Sequence, residues 1–217
     1  MPKDRLVVIF GEDENDSRAL AHLCHAVTKD ETFDTKVIKR PPVLKRDAAP
    51  KKRQGMSQTI AAFADGLSKG RARVIVVAHR DCDAVEPAHV ASSQELEADL
   101  QAAGVKHGVA ATPAWEMETW WMVFPAALAS ARRCWRDVDY SNRAVGQIAD
   151  SKERLTRDLR PQPAAARHRC PDFAESDGIL VAESIRRFGI DAALSGTMPA
   201  SLVEFRERLI KRLDLAQ

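Results

Sequence analysis

The segment from Arg73 to Asp83 constrains the fold of this chain most, because it joins an apolar strand to two carboxylates. It begins with an apolar, β-branched run, Val74 to Ala78, which is typical of a strand buried on both faces in a parallel sheet. It ends in Asp81 and Asp83. Because side chains alternate along an extended backbone, both aspartates are predicted to point the same way, at the sheet edge where ligands bind.

Two interpretations of this aspartate pair compete. Adjacent carboxylates repel each other, and a cation or a shared proton normally relieves that repulsion. Hard oxygen ligands suit Mg²⁺ or Mn²⁺, so the pair is a candidate metal site. Alternatively, Asp81 and Asp83 only cap a turn before the next helix, as aspartate often does. A motif as short as Asp-x-Asp does not decide between the two.

Further strand and helix candidates alternate along the first half of the chain. The run from Leu6 to Phe10 predicts a second buried strand, and it too is followed by acidic residues. The segments Phe33–Arg40 and Val105–Ala111 predict two more strands, separated from the others by helical patterns. This alternation is typical of an α/β fold with a mostly parallel sheet and helices on both faces.

Length and composition are those of an ordinary globular protein. A chain of 217 residues suggests one α/β domain or a domain with an appendage. The pattern changes near residue 125, so we expect an α/β domain over residues 1–124 and a helical C-terminal extension over residues 125–217, packed on it. The net charge is only +2, so charge alone does not indicate a nucleic-acid-binding protein.

The cysteines and the apolar runs bear on the compartment. The four cysteines form no Cys-x-x-Cys pair, which argues against a zinc ribbon or a disulfide framework and favours a reducing compartment. They are Cys24, Cys82, Cys134 and Cys170. No signal peptide is visible, and the longest apolar runs are far too short to span a bilayer. We therefore expect a cytoplasmic protein without a membrane partner.

Two basic segments are candidates for contact with phosphate groups. Residues 40–55 are broken by proline and carry one acid against many bases. Such a segment is either a solvated loop or a mobile basic arm that binds a polyanion, and both remain open. The second segment, residues 152–169, is rich in arginine and has few acids. The candidate substrate-binding residues in the two segments are Lys51, Lys52, Arg53 and Lys152.

A tryptophan-rich segment, Thr112 to Met122, is apolar almost all round and predicts a buried helix. It contains two glutamates, Glu116 and Glu118. A buried carboxylate needs a base, a proton or a metal ion as its partner. Two residues apart on a helix, the two side chains point to nearly opposite faces, so at most one is expected at a given site. Alternatively, either is a glutamate at the surface edge of a core helix.

The order of these acids resembles the TOPRIM (topoisomerase–primase) superfamily, which has a strand-end glutamate in an E-G-x-x-D-like motif and a later D-x-D. Here Glu12-Asp13-Glu14-Asn15-Asp16 stands at the first motif, and Asp81 and Asp83 stand at the second. The segment Glu116-Met117-Glu118-Thr119-Trp120 resembles the E-x-E-x-W signature of small bacterial TOPRIM-like proteins, which are often suspected of phage-defence roles. Asp13 departs from the pattern, because it replaces the usual glycine of a tight turn and adds a negative charge.

The resemblance, which covers roughly residues 5–122, implies metal-dependent phosphoryl transfer by a nuclease acting on DNA or RNA. Glu12, Asp81 and Asp83 would be its catalytic and metal-binding residues, and Glu118 would complete the shell around Mg²⁺ or Mn²⁺. The basic segments would hold the nucleic acid that an acidic site otherwise repels. A protein partner from a defence operon is a further expectation.

Two other functions fit the same acids. One is a catalytically inactive TOPRIM-like subunit of a defence complex, which would bind Mg²⁺ or Mn²⁺ without turnover. The other is a receiver-like phosphoacceptor module, which needs a shorter domain and a lysine after the last strand. We disfavour the second, because Lys106 stands at the start of the predicted Val105–Ala111 strand, which is the wrong end.

Overall fold

Four strands form the centre of the structure, a computed structural model that describes residues 4–39, 42, 47–161 and 170–214. They are β1 (Arg5–Phe10), β2 (Phe33–Val37), β3 (Arg73–His79) and β4 (Gly108–Ala111). All pairs are parallel, in the order β2-β1-β3-β4. The first strand is adjacent to the strand that contains Val74–Ala78, with Phe10 opposite Ala78.

Helices make up most of the remaining described chain. Those between the strands are α1 (Glu14–Thr28), α2 (Pro50–Ser68) and α3 (Ala88–Ala102). Those after β4 are α4 (Glu118–Trp121), α5 (Pro125–Ala131), α6 (Ser151–Leu159), α7 (Asp177–Phe188), α8 (Ile190–Ala193) and α9 (Ala200–Leu213), with a short 3-10 turn at Val145–Gln147. Within the described ranges, none of these helices is long and apolar enough to cross a membrane.

Helices cover both faces of the sheet, so the predicted parallel α/β architecture is confirmed. Val7 and Ile9 of β1 face a core that they share with α1 and with the helices after β4. Val8 faces the opposite core, together with Ile60 of α2 and Leu96 of α3. These five side chains have no exposed surface, which explains why the strands are apolar throughout instead of alternating.

The first of these cores continues through the predicted domain boundary at residue 124. Phe124, Leu128, Val181 and Leu209 belong to the same cluster as the β1 side chains. Helix α7 lies directly against α1. The helices after residue 124 thus cover one face of the sheet. They pack there through the same apolar cluster that buries the strands.

Residues 51–53 are helical, whereas their basic, proline-broken surroundings predict a loop or arm. Pro50 stands in the first turn of α2, where its missing N–H costs no hydrogen bond, and the helix begins there. Lys51 and Lys52 are exposed in that first turn. Residues 40, 41 and 43–46 of the predicted basic arm lie outside the described residues.

One pair of cysteines forms a disulfide, whereas the cysteine spacing argues against a disulfide framework. Cys134, just after α5, is bonded to Cys170, just before α7, with their Cα atoms 5.8 Å apart. The two are 36 residues apart in sequence, so only the folded chain brings them together and local spacing gives no sign of it. Cys24 and Cys82 are buried free thiols. The cysteine-based argument for a reducing compartment therefore no longer holds.

Candidate functional site

The carboxyl ends of β1 and β3 place Glu12 beside Asp81. The backbone N–H of Asp81 donates a hydrogen bond to Glu12 Oε1 at 3.3 Å. Gly11 leads out of β1 so close to α1 that a Cβ atom there would lie 2.6 Å from Ser17 Oγ. The Gly11 N–H donates to that hydroxyl at 2.8 Å, which fixes the backbone just before Glu12.

Asp13 caps α1, so the turn does not need the glycine that the family pattern has at this position. Its backbone is extended, with φ of −136°, a conformation open to any residue. Its carboxylate accepts a hydrogen bond from the Asp16 N–H at 2.8 Å, as an N-cap residue does. The cap thereby orients the first turn of α1, which carries Asp16 to the same sheet edge as Glu12.

These residues open onto a cleft of about 230 Å³ at the carboxyl edge of the sheet. Its walls come from the β1–α1 turn, the first turns of α1, the end of β3, the start of α4, the first turn of α6 and the start of α7 with the residues before it. The acidic residues that line it are Glu12, Asp13, Asp16, Asp81, Glu116, Glu118 and Glu175. Among the described residues that line it, Lys152 is the single cation. The cleft is therefore strongly acidic.

His79, the last residue of β3, lies behind these acids and has no exposed side-chain surface. Its Nε2 is 3.1 Å from Asp81 Oδ1, and its Nδ1 is 3.6 Å from Asp16 Oδ2. Burial alone would lower the pKa of His79, but the charges of Asp81, Asp16 and Glu12 outweigh it and raise the pKa to about 9. When protonated, His79 neutralises part of the acidic cluster from within the fold.

Burial raises the pKa of several cleft carboxyls. It raises the pKa of Glu118 to about 8, and the charges of Glu116 and Asp81 add to the effect. It raises the pKa of Asp16 to about 6, although the charge of His79 opposes it. The pKa of Glu12 is raised as well, by burial first and then by neighbouring carboxylates. The repulsion predicted from the sequence thus contributes, but loss of water around the carboxylates is the larger cause.

Both glutamates of the tryptophan-rich segment line the cleft. Glu118 opens α4, whereas Glu116 lies in the turn before it, so the two are not on one helix and need not point apart. Glu118 is only 5 % exposed. Glu116 accepts hydrogen bonds from the Lys152 N–H at 2.6 Å and from Ser151 Oγ at 3.2 Å. Glu116 is therefore tied to the start of α6, which leaves Glu118 as the less engaged carboxylate.

Asp83 does not line the cleft, unlike Asp81. β3 ends at His79, so the alternation of an extended strand does not extend to residue 83. Asp83 is exposed, has a left-handed backbone with φ of 49°, and donates its N–H to the Trp115 carbonyl at 2.9 Å. Its charge still helps to raise the pKa of Glu12, which places it near the rim of the site.

The predicted basic residues have different surroundings. Lys152 lines the cleft, and its ammonium group is paired with Glu175. Arg53 instead forms an ion pair with Glu95 of α3 and lies 3.4 Å from Asp99. The guanidinium of Arg53 thus links α2 to α3, while the exposed lysines 51 and 52 lie in the first turn of α2.

Several cleft residues were not assigned to the site from the sequence. Asp16 follows Glu12 by four residues, a spacing that places Asp16 in the first turn of a helix and Glu12 just before that helix. His79 precedes Asp81 by two residues, so the alternation argument used for the aspartates would have found it. The position of Glu175 could not be recognised from the sequence, because it lies just before α7, far along the chain from β1 and β3.

The donor chemistry of the cleft fits a hard divalent cation, since carboxylate oxygens are the ligands that Mg²⁺ and Mn²⁺ prefer. The side chains are not preassembled, however. Among the described residues, no three His, Cys, Asp or Glu side chains are arranged as a metal-binding group. The carboxylates of Asp81 and Glu116 are instead engaged with His79 and with the start of α6. Binding of an ion would therefore draw the carboxylates together.

Comparison of the chain with protein-family models, with curated proteins and with solved structures finds no match.

Proposed function

We propose that the protein is a metal-dependent phosphoryl-transfer enzyme with a TOPRIM-like fold, a nuclease that uses Mg²⁺ or Mn²⁺ to cleave DNA or RNA. The observation that carries the proposal is the acidic cleft, where carboxylates from separate parts of the chain converge at the carboxyl edge of a parallel sheet. Several of them have raised pKa values, such as Glu118 at about 8. A divalent cation relieves this unfavourable crowding.

Four carboxylates are the candidate ligands, and they are Glu12, Asp16, Asp81 and Glu118. A bound ion would neutralise developing charge on a phosphoryl oxygen and lower the pKa of a water molecule. The chain's own part is to hold the acids in place. His79 orients the Asp81 carboxylate through its Nε2, and Lys152 offers a positive charge at the wall of the cleft. Asp83 adds negative charge from the rim.

Thermal unfolding with and without Mn²⁺ tests the metal site. Wild-type protein is expected to gain about 2.7 kcal/mol at a hundredfold excess of Mn²⁺ over its dissociation constant, because the ion binds the folded state. Asp81→Asn removes a cleft carboxylate and is expected to lose this gain. Asp83→Asn is the matched control, since it removes the same charge outside the cleft and is expected to keep most of it.

Two outcomes would count against this site. If millimolar Mn²⁺ does not stabilise the wild-type protein, the cleft does not bind this metal ion. Equal loss in the two variants would mean that the cleft geometry does not select the ligands. Incubation with DNA and with RNA in Mg²⁺ and in Mn²⁺ then tests turnover, with Asp81→Asn as the inactive reference.

A second candidate is a catalytically inactive TOPRIM-like subunit that binds metal or a protein partner in a defence complex. The observation that favours it is that two cleft carboxylates are already engaged within the fold, Asp81 by His79 and Glu116 by the start of α6. The two candidates differ in one measurement. The inactive subunit would show Mn²⁺ stabilisation that depends on Asp81, yet no cleavage of either nucleic acid.

A further inference from the structure

A second concave site, which we call the arginine pocket, lies on the C-terminal part of the chain. It has a volume of about 450 Å³ and is open to solvent. Its basic lining residues are Arg136, Arg143, Arg154 and Arg157. Three aspartates, Asp137, Asp139 and Asp158, also line it, so the arrangement of the charges and not their count decides what it can bind.

Two of the arginines are held in place by Asp158. Arg154 donates from Nε to Asp158 Oδ2 at 2.7 Å, and Arg157 donates from Nε to Asp158 Oδ1 at 3.1 Å. The hydroxyl of Tyr140, a buried residue, donates to the same carboxylate at 2.9 Å. Because Asp158 is engaged through the Nε atoms, the Nη ends of both guanidinium groups form the side that can face a ligand.

The other two arginines are not neutralised by the described part of the chain. Arg136 and Arg143 are exposed, and neither side chain forms an ion pair with a described carboxylate. Of the remaining acids, Asp139 already accepts hydrogen bonds from the Ser141 N–H at 2.8 Å and from Ser141 Oγ at 3.1 Å. Hydrogen bonds leave the charge of Asp139 in place, so Asp139 and Asp137 both oppose the two guanidinium groups. Because Arg154 and Arg157 share Asp158, the arginines still exceed the aspartates by one positive charge, and the pocket suits an anion.

Helix α6 connects the arginine pocket to the acidic cleft. Its residue Lys152 lines the cleft, and its residues Arg154 and Arg157 line the pocket. Five residues of α-helix rise about 7.5 Å. At about 100° per residue, Lys152 and Arg157 point to different sides of α6, so a ligand that reaches both sites must extend over several nucleotides.

We propose that the arginine pocket binds a backbone phosphate of the same nucleic-acid strand whose reacting phosphate lies in the acidic cleft. The substrate class is then a polynucleotide of several residues and not a mononucleotide. Arginine suits this role, because its planar fork binds phosphate through two parallel hydrogen bonds. The inference rests on the proposed function for the position of the reacting phosphate, but the pocket itself does not use the metal.

Binding of a fluorescent single-stranded oligonucleotide in EDTA, followed by anisotropy over a range of salt concentrations, tests the proposal. The double variant Arg136→Gln/Arg143→Gln is expected to bind about tenfold more weakly at fixed salt, because charged hydrogen bonds to phosphate are lost. The slope of log K against log salt is expected to fall by about 0.7 for each lost phosphate contact. The control is Arg133→Gln, which removes an exposed arginine that does not line the pocket.

Stabilisation by Mn²⁺, measured on the same variants, separates this proposal from the function of the cleft. Wild type, the double variant and the control are all expected to show the same Mn²⁺ shift, because none of the substitutions touches the cleft. A double variant that binds the oligonucleotide as tightly as Arg133→Gln, while the Mn²⁺ shift persists, overturns the arginine pocket alone. If the double variant loses oligonucleotide binding and no protein shows a Mn²⁺ shift, the arginine pocket is supported. The proposed metal-dependent function is then refuted.

Discussion

At the scale of single residues, a buried imidazole lies among carboxylates that would otherwise repel one another. His79 contacts Asp81 and Asp16, and its own side chain has no exposed surface. A buried charge is stable only with a partner, so the imidazolium and the acids depend on each other. A divalent cation in the cleft would offer the acids a second source of positive charge, from the solvent side.

Replacement of His79 by glutamine therefore has a metal-dependent cost. We expect His79→Gln to lower the free energy of unfolding by about 3 kcal/mol in EDTA at neutral pH, because the carboxylates lose their internal cation. The loss is expected to shrink in saturating Mn²⁺. Urea unfolding in the two conditions measures both values. An equal loss with and without Mn²⁺ would mean that His79 acts only through packing.

The two aspartates show what the sequence can predict at this scale. Asp81 could be assigned to the site because it follows a strand whose apolar, β-branched composition is unambiguous, and strand ends meet at one edge of a parallel sheet. The position of Asp83 could not be predicted, because it depends on the left-handed backbone of Asp83 itself, two residues after Asp81. No residue type between His79 and Asp83 announces that turn.

At the scale of elements, the start of α6 is capped by a residue from elsewhere in the chain. Asp150, at the N-cap position, makes no capping hydrogen bond with its side chain. Glu116 takes that role, since its carboxylate accepts from the Lys152 N–H and from Ser151 Oγ. A negative charge at a helix N-terminus is also favoured by the helix dipole. One carboxylate therefore holds α6 against the cleft.

Two substitutions at Glu116 separate its capping role from its charge. Glu116→Ala removes the acceptor and is expected to lower the free energy of unfolding by about 1–2 kcal/mol. Glu116→Gln keeps a carbonyl acceptor and is expected to cost less than half as much. Urea unfolding gives the two energies, and amide hydrogen exchange at Lys152 reports the cap directly. Faster exchange in the glutamine variant than in the alanine variant would contradict this assignment.

The elements themselves were predictable to different degrees. The strands β1 and β3 were found because buried parallel strands are apolar over their whole length. The start of α2 was missed, because the basic, proline-broken composition of residues 40–55 is equally typical of a loop. The disulfide was missed because its two cysteines meet only after α6 and the chain around it have folded back.

At the scale of the whole molecule, the groups of the cleft with raised pKa values act in the same direction on stability. Glu118, with a folded pKa of about 8 against 4.5, retains its proton in the folded state over a range where the unfolded chain loses it. Asp16 retains its proton in the folded state up to about pH 6. His79, whose pKa is raised from 6.5, retains its proton up to about pH 9. In each case the contribution is present below the unfolded pKa and lost as pH rises through the folded pKa.

The metal-free protein is therefore expected to lose stability between pH 5.5 and pH 8.5, by about 2–5 kcal/mol. Carboxyls with lowered pKa values, such as Asp158, titrate below this window and do not offset the loss. Urea unfolding in EDTA at several pH values measures the slope, and Glu118→Gln is expected to reduce it. A flat profile in the wild-type protein would mean that the cleft carboxyls are already ionised without penalty.

The Cys134–Cys170 bond has a consequence for how α6 behaves when it comes loose. It closes a ring of chain that contains α6, and a loop of that length restricts the unfolded ensemble by about 4 kcal/mol. If α6 detaches from the cleft, its two flanks remain joined near α5 and α7. Its return is an intramolecular encounter with or without the bond, but the bond holds both flanks of α6 near one point and so limits how far the helix can move. Helix α6 can therefore detach from the cleft without moving far from it.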